Sequence, residues 1–178
     1  MNVRARSLPA VVWAPIVAAL TTAVPGLVGL ASGTVLLFPS LGPSAVMMAQ
    51  SPERASSRPY AVVTAHIVGL ASAFAAVAVF RIAHAPSVFA VRELSPARVA
   101  AAILAIALGT LVESLLDAQH PPAASTTLLA ALGSFKPTVH DTLLVIGGVV
   151  IVAAIGEMLR RLRLRGENPD ALPRRIGY

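Results

Sequence analysis

From Ser7 to Pro52 the chain runs for 46 residues without a single Asp, Glu, Lys, Arg or His. A helix crossing a bilayer needs about 20 apolar residues for about 30 Å of hydrocarbon, so this run alone exceeds one crossing. Arg4 and Arg6 stand ahead of it in the manner of a signal peptide. The stretch is far longer than a signal core of about 7 to 15 residues, however, and no polar break leads to a cleavage site. It reads as a first spanning helix over 10–31, in which Pro15, Pro25, Gly26, Gly29 and Gly33 predict kinks or close helix contacts. Three more apolar runs follow, at 59–80 with His66 as its polar marker, 96–117 and 140–160. The expected fold is an all-α integral membrane protein with a single membrane domain over 10–162, a short N-terminus at 1–9 and a basic tail at 163–178. A mean hydropathy of +0.78 with 12% charged residues agrees.

Between these runs lie two short segments that begin at proline. The first follows Phe38-Pro39-Ser40-Leu41-Gly42 and predicts a helix over 43–50. The second starts at His120-Pro121-Pro122 and predicts a helix over 121–132, since proline is tolerated in a first helical turn and Gly133 suits the far end. About 12 residues at about 1.5 Å each give about 18 Å, too short to cross, so each segment is expected to enter the membrane and return. A helix start at mid-depth would carry free N–H groups and the positive end of a helix dipole, which favour an anion. Ser125, Thr126 and Thr127 add hydroxyls there. The plain alternative is a loop followed by an ordinary buried helix.

Pro43 superposes on Pro122, and Arg58-Pro59 then falls against Lys136-Pro137. Each half of the chain thus reads as spanning helix, short helix, basic-proline turn and spanning helix, an internal two-fold repeat. Thirteen of the fourteen basic residues are arginine, and they lie at or beyond the ends of the apolar runs. They serve as topology signals rather than as a nucleic-acid surface. With four spans, the N-terminus, the 81–98 loop and the tail share one side with eleven basic residues, against Arg54, Arg58 and Lys136 opposite. With six crossings the division is ten against four. Both place the termini in the cytoplasm, and the shortness of the 121–132 helix favours four spans. The absence of cysteine excludes disulfides and thiolate metal sites.

Glu113, Asp117 and His120 are spaced four and then three residues apart, which puts them on one face if the helix continues that far. A membrane metalloenzyme using that face is one alternative, although Pro121 and Pro122 break the helix there and no HExxH motif exists. A non-transporting scaffold is another. Glu157 is expected to pair with Arg160 or Arg161 one turn away.

Phe38-Pro-Ser-Leu-Gly-Pro-Ser-Ala45, the segment Pro59 to Gly69 with His66, and Gln119-His-Pro-Pro-Ala-Ala-Ser-Thr-Thr-Leu-Leu129 together resemble the HPP family of small integral membrane proteins, in the family's order over about two thirds of the chain. Alanine stands at 124 and 65 where that family usually has glycine. The resemblance implies four spans, and some members are implicated in nitrite transport. It therefore implies a multi-pass inner-membrane transporter or channel for a small anion, with no cofactor and no bound metal. The anion would sit between the two short helices, at Ser40, Gly42, Pro43, Ser44, His66, His120, Pro121, Pro122, Ser125, Thr126 and Thr127. Glu113 and Asp117 are the candidates for proton coupling, and His120 protonation is expected to raise anion affinity. Four spans enclose little volume, which implies a homo-oligomer in the lipid bilayer.

Overall fold

The computed structural model describes residues 9–167, so Arg4, Arg6 and most of the tail, with Arg174 and Arg175, lie outside it. The described chain forms α1 (Ala10–Ser32), α2 (Leu41–Gln50), a 3-10 turn (Ala55–Ser57), α3 (Pro59–Val79), α4 (Val88–Val91), α5 (Pro96–Leu115), α6 (Ala123–Ala131) and α7 (Val139–Glu167), with no strand among the described residues. Four of these, α1, α3, α5 and α7, are long and apolar enough to cross a membrane. Proline sets two of the starts: Pro59 and Pro96 open α3 and α5 after extended residues, and the Ser95 hydroxyl accepts from the Arg98 N–H at the second. Gly33, at φ 70, turns the chain out of α1 in the left-handed conformation that glycine adopts freely.

The contacts between helices fix their directions. Arg163 lies 5.4 Å over the Trp13 ring, while a Cβ on Gly26 would touch Leu37 and one on Gly147 or Gly148 would touch Leu36. Helices α1 and α7 are therefore antiparallel. Helix α2 runs alongside α7 in the same sense: Leu41 packs at Gly148, Met48 packs at Gly156, and Arg160 donates to the Pro52 carbonyl at 3.4 Å. The 51–58 connection thus shares one end of the molecule with the start of α1 and the end of α7. Helix α3 leaves from that end and α5 returns to it, because the Tyr60 hydroxyl donates to the Leu116 carbonyl at 2.9 Å and Arg98 reaches the Ala85 carbonyl at 2.7 Å. Helix α6 finishes at the far end, where the Val88 N–H donates to the Leu132 carbonyl.

The units α1–α3 and α5–α7 therefore repeat the same order of elements with opposite orientation. This arrangement corrects the expected placement of the loops: the 81–98 loop lies opposite the described ends of the chain, and Arg54 and Arg58 lie on their side. The physical reason is the non-helical chain before each half-helix. Residues 33–40 and 116–122 carry the backbone part of the way back before α2 and α6 begin, so stretch and half-helix together complete a passage that neither makes alone. The four long helices stand as expected, but the short helices do not enter and return: the loops lie as in the six-crossing alternative, and the half-helices run in from opposite ends.

Alanine and glycine line the α3–α5 seam, where Ala73, Ala76, Ala101 and Ala105 are buried and Gly109 approaches Gly69 and Ser72. Small residues let backbones close when lipid supplies no hydrophobic drive. Phe38, Leu41, Met48, Val145, Val149 and Val152 fill the space between α2 and α7. Arg98 is 3% exposed, and its guanidinium donates to the carbonyls of Ala131 (2.9 Å), Ala85 (2.7 Å) and Pro86 (3.2 Å). A cation at a helix C-terminus satisfies carbonyls that the helix itself leaves open. Gly133, at φ 90, yields the room, since a Cβ there would stand 2.6 Å from Arg98 Nη2.

Two outcomes follow from this frame. In membrane vesicles of one orientation, Arg54→Cys and Arg161→Cys should react with an impermeant thiol reagent from one side, and Arg92→Cys and Lys136→Cys from the other. Labelling of Arg54→Cys and Arg92→Cys from the same side would contradict the inverted arrangement. Arg98→Ala strands three carbonyls and should lower stability by about 2–4 kcal/mol in a detergent unfolding titration.

Candidate functional site

The two half-helices present their N-terminal ends to each other inside the helix bundle. The Ser40 hydroxyl, just before α2, lies 2.6 Å from Thr126 Oγ1 on α6. Helix α3 passes beside both and supplies His66, whose Nδ1 is 2.7 Å from Thr126 Oγ1 and whose Nε2 is 3.0 Å from Ser44 Oγ. Ser44 Oγ lies in turn 2.9 Å from Nε2 of His120, and His120 Nδ1 is 2.7 Å from the Ser56 carbonyl. The imidazole centroids are 5.5 Å apart. Ser40, Ser44, His120 and Thr126 are fully buried, and His66 is 1% exposed. The centre is closed to both ends.

One acceptor sets the direction of every hydrogen in this chain. A carbonyl can only accept, so His120 Nδ1 carries a hydrogen and donates to Ser56. The Nε2 of a neutral His120 is then bare and accepts from the Ser44 hydroxyl. Ser44 Oγ accepts from His66 Nε2–H, the bare His66 Nδ1 accepts from Thr126, and Thr126 accepts from Ser40. Every hydrogen bond is made with both rings neutral, which suits a buried position. The Ser40 carbonyl, 3.2 Å from Ser44 Oγ, is the longer alternative for the Ser44 hydrogen.

The remaining expected residues fall around this chain. Thr127 donates to the Ala123 carbonyl at 3.2 Å and packs so tightly on Gly69 that a Cβ there would collide with its hydroxyl. Ser125 is half-buried on α6 and makes no link in the chain; Pro122 is buried, while Pro43 and Pro121 are exposed. Gly42 faces an open apolar groove of about 990 Å³ between the second half of α1, residues 33–37 and Val46, away from the histidines. Helix α5 ends at Leu115, and Asp117 is exposed in a left-handed turn at φ 49. Glu113, Asp117 and His120 therefore do not share a helical face. Among the described residues no group of three His, Asp or Glu side chains is placed to hold a metal. The Glu113 carboxylate faces the His120 backbone N–H instead.

The free N–H groups expected at the start of α6 are absent. Ala123, Ala124 and Ser125 donate to the carbonyls of His120, Pro121 and Pro122 in a 3-10 turn that precedes the helix. Hydroxyls and imidazoles, rather than backbone N–H groups, are what this end of α6 offers. The Ser56 carbonyl, which orients the network, sits in a polar connection whose sequence carries no sign of the role. Glu157 pairs with Arg160 at 2.5 Å and Arg161 at 2.6 Å as the spacing requires.

The network makes a spectroscopic prediction. With ¹⁵N-labelled histidine at neutral pH, His120 should show the Nδ1–H tautomer and His66 the Nε2–H tautomer. The opposite pair would reverse the hydrogen-bond order given above.

The sequence model of the family described as HPP, transmembrane region, matches residues 3–169. No curated relative and no solved structure matches the chain.

Proposed function

Because the chain belongs to the HPP transmembrane family, we propose that it carries a small inorganic anion across a bacterial inner membrane, with nitrite the favoured substrate. The observation that supports this reading most is the Ser40–Thr126 bond at 2.6 Å, which ties the start of one half-helix to the first turn of another entering from the opposite end. Inverted repeats whose broken helices meet at mid-depth are the architecture of transporter substrate sites, and the dipoles of both half-helices direct positive ends to the same place. A monovalent oxyanion accepts hydrogen bonds only, and Ser40, Ser44, Thr126 and the two imidazoles are donors once their mutual bonds are released. In the closed state these groups satisfy each other. An arriving anion takes the place of the Ser40–Thr126 bond, and the buried centre opens to one end at a time.

The described ends of α1 and α7 lie with Arg54, Arg58, Arg160, Arg161 and Arg163, against Arg81, Arg92, Lys136 and the buried Arg98 at the far end. The arginine-rich end is accordingly the cytoplasmic one. The exposed apolar faces of α1, with Val11, Leu27 and Leu30, meet lipid or further copies of the chain in an oligomer.

Purified protein in liposomes should take up nitrite, measured as trapped anion after removal of the external pool, faster than protein-free vesicles. Thr126→Val should weaken the apparent affinity by about 1–2 kcal/mol, about 5- to 30-fold, because one donor to the anion is lost. Absence of uptake of nitrite and nitrate alike by correctly folded protein would remove this reading.

A further inference from the structure

The two buried histidines are linked as well as placed to donate. They are joined through a single atom: Ser44 Oγ stands 3.0 Å from His66 Nε2 and 2.9 Å from His120 Nε2. A hydroxyl that bridges two imidazole nitrogens can take a hydrogen from one ring while passing its own to the other. The chain extends without a gap to Ser40 on one side, through Thr126, and to the Ser56 carbonyl on the other.

The network takes up one proton without losing a link. With the charge on His66, both of its ring nitrogens donate, to Thr126 and Ser44; Thr126 then donates to Ser40, and Ser44 to His120 as before. With the charge on His120, its Nδ1 donates to Ser56 and its Nε2 to Ser44; Ser44 donates to His66 Nε2, whose Nδ1–H donates to Thr126. The two states differ only in the two hydrogens at Ser44. A second proton would put two imidazolium rings 5.5 Å apart in a buried site, where like charges repel strongly.

We propose that His66, Ser44 and His120 form a proton relay that carries one proton with each anion, running from the Ser40–Thr126 meeting point toward the Ser56 end of the protein. This rests on the anion reading of the same site. The steps balance. A proton arriving at Thr126 displaces that hydroxyl's hydrogen to His66 Nδ1. His66 then releases its Nε2 hydrogen to Ser44 as Ser44 passes its own to His120 Nε2, and His120 gives up its Nδ1 hydrogen when the Ser56 connection opens. One proton enters, one leaves, no group is oxidised or reduced, and both imidazoles, left as the opposite tautomers, turn over before the next proton.

Few charged side chains surround the histidine pair. Helices α2 and α6 carry no Asp, Glu, Lys or Arg, nor does α3 after its start, α5 between Val99 and Val112, or α7 between Thr142 and Gly156. Glu113 on α5 is the carboxylate that faces His120, through the backbone N–H, and Tyr60 lies at the beginning of α3 with its hydroxyl on the Leu116 carbonyl. Arg98 is held at the far end of α6.

The test uses the full-length protein in liposomes with a trapped pH dye, equal pH on both sides, the membrane potential clamped, and an inward gradient of nitrite or nitrate. Anion entry and internal acidification are measured separately, with protein-free vesicles subtracted. About one proton should enter per anion. Ser44→Ala should lower the number of protons entering per anion at least tenfold, and Ser44→Thr should restore it. Anion entry without acidification overturns the relay and leaves the transport reading standing, as does full acidification in Ser44→Ala. If no anion enters, the transport reading fails. Proton entry driven by an imposed potential then decides the relay, which is overturned if the parent conducts no protons or Ser44→Ala conducts as well as the parent. Should Ser44→Ala fail to insert, ¹⁵N shifts of the parent decide: one shared protonation step seen at both rings supports the relay, and two independent steps contradict it.

Discussion

Inside hydrocarbon every backbone donor and acceptor needs a partner within the protein, and this requirement governs a helix that starts at mid-depth. Such a helix exposes four N–H groups where no water reaches. Helix α6 meets the demand locally, with a 3-10 turn over His120, Pro121 and Pro122 whose carbonyls take the N–H groups of Ala123, Ala124 and Ser125. The two prolines help by having no N–H of their own to satisfy. At the other end Arg98 closes the Ala131 carbonyl. With its backbone accounted for at both ends, α6 links to α2 and α3 through the Thr126 hydroxyl.

The inverted repeat turns that local solution into a site. Two half-helices approach from opposite ends, so their positive ends converge on one point. Helix α3 belongs to one repeat and α5 to the other, and their alanine and glycine seam holds His66 in register with Thr126. Gly69 fits against Thr127 so closely that even a methyl group would displace the hydroxyl. Packing precision and chemistry are coupled here, because Thr126 and Thr127 sit side by side on α6, one bonding His66 and the other locking the helix spacing.

Much of the fold was legible in the sequence. The four apolar runs, the prolines at 43, 59, 96 and 121–122, and the repeated order of elements all mark features that the structure contains. The placement of loops was not legible, because 33–40 has no periodicity to show that an extended stretch is moving through the membrane, and because arginine counts of eleven to three and ten to four discriminate poorly. The site was visible only as a set of residue types. Ser40, Ser44, His66, His120 and Thr126 were named from half-helix starts and a polar residue in a span, but their linear order of contact depends on α3 passing between the two repeats. Asp117 illustrates the converse: its spacing fits a helical face, and the helix ends before reaching it. Arg98 looked like one more loop cation, since nothing in Pro96-Ala97-Arg98 announces a partner 33 residues away.

The central claim is that the starts of α2 and α6 meet at Ser40 and Thr126. The chain has no cysteine, so a Ser40→Cys, Thr126→Cys pair would contain its only thiols. Side chains whose oxygens lie 2.6 Å apart would bring two cysteine sulfurs into reach of each other. Mild oxidation in the membrane should therefore cross-link the pair nearly completely, read by mass spectrometry as loss of two hydrogens, whereas Ser40→Cys with Leu132→Cys should stay reduced. If the Ser40–Thr126 pair stays reduced under conditions that oxidise a neighbouring surface pair, the two half-helices do not meet where this account puts them.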